Sequence, residues 1–326
     1  MTAVLRRALP GLALCAGIAL LARFAASRFH VPALLLALAG GLLISPWSRR
    51  AALNGGIDLA GNQLLKLAVI LLGSRITLEQ LTALGWQPVA IIALAVPATL
   101  AFGVVTGRLM GVTRCQSLLS AGAVAICGGS AAMALAAVLP RNERAERQLV
   151  YTIICVTTLS SIAMVAYPLL AHWLGMGPRS AGIFLGGTIH NVPQAVAAGY
   201  VISHQAGDMA TLTKLLRVTT LLPAVIGVAW LCDRQTTSEA RSHAGLPLFL
   251  IGFFGVVVIN SLGWLPGSIV TTLSGAAEWA LIVALTALSA RTTFSGMIAE
   301  GWRPLAVIVG DTVFLAGLVL AGLWIA

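Results

Sequence analysis

Charge is what this chain has least of. Asp, Glu, Lys and Arg make up 9% of its 326 residues, against about a quarter in ordinary soluble domains. Hydrophobic types make up 59%. Such a chain cannot cover a water-facing surface of this size, so lipid is the solvent that suits it. Acids are scarcest, ten against twenty Lys and Arg, for a net charge of +10. The basic residues are scattered through short gaps between apolar runs. They read as loop anchors and topology signals. Nucleic-acid binding would need them clustered on one soluble face. Cysteine is sparse too: Cys15, Cys115, Cys127, Cys155 and Cys232 form no C-x-x-C pair, which speaks against a disulfide framework or a zinc site. The chain contains no P-loop, no His-Glu-x-x-His and no carboxylate pair. Neither ATP-driven pumping nor an enzyme activity has a sequence signature here, and no cofactor is implied.

What remains is apolar helix. A crossing needs about 20 mostly apolar residues. Runs of that kind lie at 8–26, 31–47, 57–73, 84–106, 116–139, 149–173, 179–201, 210–232, 245–263, 268–290 and 304–325. The expected fold is an all-α polytopic membrane protein of about eleven crossings, in one transmembrane domain over 1–326. The first stretch is apolar from Arg6-Arg7 to Leu21, and Arg23 and Arg28 follow. It reads as an uncleaved span rather than a secretory signal. The longest polar connector is 233–244. The balance of Lys and Arg between connectors slightly favours the N-terminus inside.

An internal repeat is the strongest pattern. Residues 71–92 and 287–308 align at an offset of 216 without gaps. They share Leu72/Leu288, Arg75/Arg291, Thr77/Thr293, Ala83/Ala299, Gly85/Gly301, Trp86/Trp302, Pro88/Pro304, Ala90/Ala306 and Ile92/Ile308. Upstream, Pro32, Gly40 and Ile44 match Pro247, Gly255 and Ile259 at an offset of 215. Spans 2–4 therefore recur as spans 9–11. Seven spans is an odd number, so the copies face opposite ways, a plan common among secondary transporters. The repeat regions are taken as 31–173 and 179–326. The spans between do not follow: spans 5 and 7 have the same parity, which simple inversion forbids.

Two polar, glycine-interrupted stretches lie deep in apolar runs. Irregular backbone at membrane depth needs protein or a water-filled cavity beside it. The first is Ala125-Ile126-Cys127-Gly128-Gly129-Ser130-Ala131; its paired glycines permit a helix break, and a half-helix starting near Ser130 would offer its positive end to an anion. The second is Gly186-Gly187-Thr188-Ile189-His190-Asn191-Val192-Pro193-Gln194. His190 can carry protons near neutral pH, and Thr188, Asn191 and Gln194 can replace water around a polar solute. Close packing of helices through small residues accounts for glycine pairs equally well.

Charges inside spans are functional candidates by default. Lys66, Lys214 and Arg217 are candidate substrate contacts, the last two three residues apart on one helix face. Snorkelling to the interface is their bland alternative. Glu278 and Asp311 are candidate carriers of a coupling proton or cation, with Asp58 a weaker one.

The blocks LLGSRITLEQL, AICGGSAAMA, GGTIHNVPQAVAAG, KLLRVTTLLP and GWRPLAVIVGD together resemble the YeiH-type family of inner-membrane proteins, often labelled sulfate exporters. The resemblance implies the broader fold of cation–proton antiporters and bile-acid symporters, with inverted repeats and discontinuous helices crossing at a midplane site. It would put Cys127, Gly128, Gly129 and Ser130, with Thr188, His190, Asn191 and Gln194, at that crossing. The paired aspartates of sodium–proton antiporters are missing there. The expected function is secondary transport of a small anion across the bacterial inner membrane, sulfate or a sulfonate, with a proton or sodium as the coupling ion. A cation/proton antiporter and a non-transporting sensor are the alternatives. The sequence leaves homo-oligomerisation open.

Overall fold

The structure, a computed structural model, describes residues 2–29, 33–48, 50–77, 79, 85–136, 138–139, 143–231, 248–291 and 301–325. The expected polar connector at 233–244 and the repeat positions Pro32, Ala83, Pro247, Thr293 and Ala299 lie outside them. The described residues are helical with no strand. The helices are α1 (Thr2–Phe29), α2 (Ala33–Ile44), α3 (Ala51–Leu59), α4 (Leu65–Leu72), α5 (Trp86–Leu109), α6 (Arg114–Ala125), α7 (Gly129–Ala136), α8 (Glu143–Trp173), α9 (Pro178–Thr188), α10 (Val192–Ile202), α11 (His204–Thr219), α12 (Leu221–Leu231), α13 (Leu248–Ser261), α14 (Gly267–Ala290) and α15 (Trp302–Ile325). A π-turn over Ala60–Leu64 joins α3 to α4.

Contacts divide the chain into two compact units, Met1–Ala83 with Pro247–Thr292, and Leu84–Leu246 with Thr293–Ala326. Among the described residues seven helical stretches are long and apolar enough to cross a membrane, and Ala33–Ile44, Val192–Ile202 and Ile251–Ser261 are shorter apolar helices. Helix falls on all eleven expected stretches.

In the first unit, α3–α4 packs on α14. Gly61 faces Ala287, and Asp58 pairs with Arg291 at 2.6 Å. Residue numbers fall on one helix as they rise on the other, so the two run antiparallel. In the second unit α5 and α15 do the same. Phe102 stacks on Phe314 at 4.0 Å, Gly103 faces Asp311, and Gly322 faces Ile91. These are the repeat partners found in the sequence: α5 and α15 differ by 216 at both ends, and α3 and α14 begin 216 apart.

The second unit also holds the two polar stretches. Thr113 caps α6 by accepting from the Gln116 N–H, as a short hydroxyl side chain does before a first turn. The helix stops at Ala125, and Gly128 takes φ +71°, a conformation that suits glycine. The chain then reverses. Leu135 of α7 comes back against Gly122 of α6, so closely that a Cβ on Gly122 would collide with it. A straight continuation would put residue 135 roughly 15 Å or more away. Helices α6 and α7 therefore form a hairpin. Helix α8 begins beside the hairpin's open end, where Gln116 donates to Thr152 at 3.3 Å and Gln148 lines a cavity of about 260 Å³ with Thr113 and Arg303.

Helices α9 and α10 form a second hairpin. Pro178 opens α9, Thr188 closes it, and Pro193 opens α10, each proline sitting in a first turn where its missing N–H costs no helix bond. Both Gly182 of α9 and Gly199 of α10 lie against the carbonyl of Ala206 on α11. Residues 182 and 199 are thus neighbours across the hairpin. Helix α8 passes the first hairpin at Val156, beside Gly128, reaches the second at Ser160 and Ser161, and stacks Tyr167 on Phe184 of α9. The two hairpins therefore enter from opposite ends of α8. The segments 116–139 and 179–201, expected as discontinuous crossing helices, break as expected, but in each the chain turns back after the break.

Candidate functional site

The hairpin tips, 126–128 and 189–191, meet in the middle of the second unit. Gly128 lies directly against the Asn191 side-chain oxygen, leaving no room for a Cβ. Helices α6 and α9 end here, so each presents carbonyls that its own helix leaves without partners, together with the negative end of its dipole. Two cations of α11 satisfy both. Lys214 Nζ donates to Ile126 O at 2.9 Å and to Ile189 O at 2.7 Å. Arg217 donates to Ala125 O and Val124 O on one tip, and to Gly187 O at 2.8 Å and Ile189 O at 3.3 Å on the other. Counted from the ends of α6 and α9, Ile126 and Ile189 are equivalent, and so are Val124 and Gly187. Each cation thus joins equivalent carbonyls of the two hairpins. Both side chains are fully buried. A buried charge is tolerable only when partnered, and here the partners are backbone. Lys214 and Arg217, expected as substrate contacts, have these donors committed to holding the tips together.

Helices α7 and α10 begin at the same tips and bring their positive ends. Ser130, in the first turn of α7, is exposed, and Gly129 is partly so. The Cys127 sulfur sits 2.8 Å from the Ser130 hydroxyl. In the second tip Asn191 Nδ2 donates to Gln194 Oε1 at 3.0 Å, and Gln194 Nε2 donates to Ser161 at 2.8 Å. The Asn191 backbone N–H donates to Ser160 at 3.0 Å. Thr188 is satisfied within its own helix by the Phe184 carbonyl at 2.6 Å. His190 is fully buried, with Nε2 3.1 Å from Thr312 of α15, while its Nδ1 has no hydrogen-bond partner among the described residues. Ser160, Ser161 and Thr312 were not singled out in the sequence. The cluster Thr157-Thr158-Leu159-Ser160-Ser161 midway along an apolar run was the available signal for the serines.

Lys66 is exposed on α4, in the first unit. Glu278 is ion-paired with Arg23 at 2.6 Å, both about 40% exposed, and Arg23 also covers Trp279. Asp58 is held by Arg291. Asp311 is fully buried, and neither of its oxygens has a hydrogen-bond partner among the described residues. No group of three or more potential metal ligands gathers among the described residues.

A helical chain with this many apolar segments, hydrogen-bonding its irregular backbone internally, is a polytopic membrane protein. Comparison with known proteins gives the family. The family model described as Conserved hypothetical protein 698 matches residues 10–308. The chain is 40% identical over 319 residues to the UPF0324 membrane protein CT0845 of Chlorobaculum tepidum, covering 96% of this chain and 88% of that one. It is also 40% identical over 324 residues to the UPF0324 membrane protein TauZ of Paracoccus denitrificans, covering 98% and 96%. The chain belongs to the UPF0324 family, the YeiH-type family that its sequence blocks resemble. No solved structure matches it.

Proposed function

We propose that this protein is a secondary active transporter that moves a small anion, sulfate or an organosulfonate, across the bacterial inner membrane by alternating access. The observation that carries the reading is the charge balance at the tips. Two helix C-termini are neutralised by two buried cations, and two helix N-termini arrive with no carboxylate hydrogen-bonded to either tip among the described residues. The surplus is positive, and a helix N-terminus is a ready anion site. The Ser130 hydroxyl and the first-turn N–H groups of α7 form its exposed part.

On this reading the two broken segments dip into the membrane, one from each side, and do not cross it. The antiparallel repeat partners and the opposed hairpins support inverted topology. The parity obstacle disappears because a hairpin returns to its own side. Transport needs neither ATP nor a cofactor in this account; a proton or sodium supplies the coupling. The sequence alternative of a cation/proton antiporter draws on Asp311 alone, since Glu278 is paired. The test is uptake of labelled sulfate and of a short alkylsulfonate into proteoliposomes. Saturable flux lost in Ser130→Val, with the variant still folded, supports the proposal. Absence of flux for every small anion tried contradicts it.

A further inference from the structure

We infer that Asp311 is the proton-binding residue of the transport cycle, an inference that rests on the transport reading above. Asp311 lies midway along α15, with both carboxyl oxygens buried and unpartnered among the described residues. The space it fills is made by Gly103 of α5: a Cβ there would come within 2.8 and 2.9 Å of the two oxygens and would strike Ala121 of α6. A carboxylate needs a counter-charge or several donors in such a place. It has neither, so the carboxyl holds its proton in this conformation.

Helix α5 offers Gly103 and Phe102, and α6 offers Ala121. Helix α9 brings Gly187 against Val319 of α15. Among the described residues, His190 reaches this part of α15 through Thr312, the next residue along. Lys214 and Arg217 are held by the tip carbonyls.

The internal repeat argues that the carboxyl is not there for packing. At an offset of 216, Asp311 corresponds to Ala95 of α5, which is 2% exposed and packs with a methyl group. The same helix position is filled without a charge in the other copy. In the cycle, opening toward one side admits water to Asp311. The O–H bond then breaks, the proton leaves to water as hydronium, and the carboxylate stays on the protein. Opening toward the other side returns a proton to the same oxygen. The Thr312–His190 contact ties this turn of α15 to the second hairpin tip, so ionisation of Asp311 and occupancy of the tip are coupled, each altering the other.

Two arms test this with the full chain. Infrared spectra of lipid-reconstituted protein should show the carbonyl band of a protonated carboxyl, absent in Asp311→Asn and unchanged in Glu278→Gln. In proteoliposomes, a pH gradient should drive labelled sulfate to accumulate in the wild type and in Glu278→Gln but not in Asp311→Asn or Asp311→Ala. Asp311→Ala copies the residue already present in the other repeat, which protects its fold. Persistence of pH-driven accumulation in either Asp311 variant, or of the infrared band in Asp311→Asn, overturns the inference. If the wild type moves none of the small anions tried, the transport reading fails, and the infrared arm alone decides whether Asp311 holds the proton.

Discussion

Lys214 Nζ lies 2.9 Å from Ile126 O and 2.7 Å from Ile189 O, so one ammonium joins the same carbonyl of two hairpins that enter from opposite ends of α8. The contact explains how a polar lysine comes to be fully buried in an apolar protein. It also separates two roles that look alike in a sequence. A buried cation in a transporter can face solute, or it can hold open the backbone that does.

Lys214→Ala removes both bonds, leaves the buried Ile126 carbonyl without its donor and leaves Ile189 O with the longer Arg217 bond alone. Hydrogen bonds to a charged group contribute about 1.5–3 kcal/mol each, so the loss should be about 3–6 kcal/mol. A marked fall in thermal midpoint and in monodisperse yield is expected, with Lys214→Arg in between. Normal stability combined with lost sulfate binding would instead indicate a solute-contacting lysine.

Gly128→Ala should be severe although it adds one methyl group. The positive φ of Gly128 costs an L-residue about 1–2 kcal/mol. The new Cβ would also collide with the Asn191 side chain. Gly255→Ala, where nothing lies within 4 Å of the added atom, is the matched control. Equal thermal midpoints for the two variants would count against contact between the tips.

Ser130→Cys places a thiol at the exposed first turn of α7. It should react with a polar maleimide in purified protein, and sulfate should slow the reaction while chloride should not. Reactivity indifferent to every anion would place the solute elsewhere.

The two exposed ion pairs should matter little to transport. Glu278→Gln breaks the bond to Arg23, a pair about 40% exposed. Pairs of this kind contribute roughly 0–1 kcal/mol. Uptake rate and pH dependence should match the wild type. A loss of proton coupling in this variant would move the coupling site from α15 to α14.

The breaks at 125–131 and 186–194 were legible because paired glycines and a His-Asn-Val-Pro run have no reason to sit in a lipid-facing helix. The direction of the chain after each break was not. A kinked crossing and a hairpin require the same glycines, the same prolines and nearly the same length, and only the return of Leu135 to Gly122 and of Gly199 to Ala206 distinguishes them. The repeat carried an indirect warning, because spans 5 and 7 could not both cross and be inverted. Lys66, Lys214 and Arg217 looked equivalent as charges within apolar runs, yet one is exposed and two are buried at the tips. The carbonyls that receive the buried pair belong to segments roughly 25 to 95 residues away along the chain, a distance over which no local pattern extends. Among the acids, Asp311 and Glu278 parted for the same reason: the partner of Glu278 is on α1, 255 residues away.

Opposed hairpins make a simple demand on topology. Arg114, Arg147, Arg179 and His204 are all exposed and flank the two hairpins. With each replaced singly by cysteine in a cysteine-free background, labelling of intact cells by a membrane-impermeant maleimide reports the side of each. The account predicts that 114 and 147 share one side of the membrane and that 179 and 204 share the other. Labelling that places 114 and 147 on opposite sides would mean that the first broken segment crosses the bilayer, and the facing hairpins on which the proposed anion site depends would not exist.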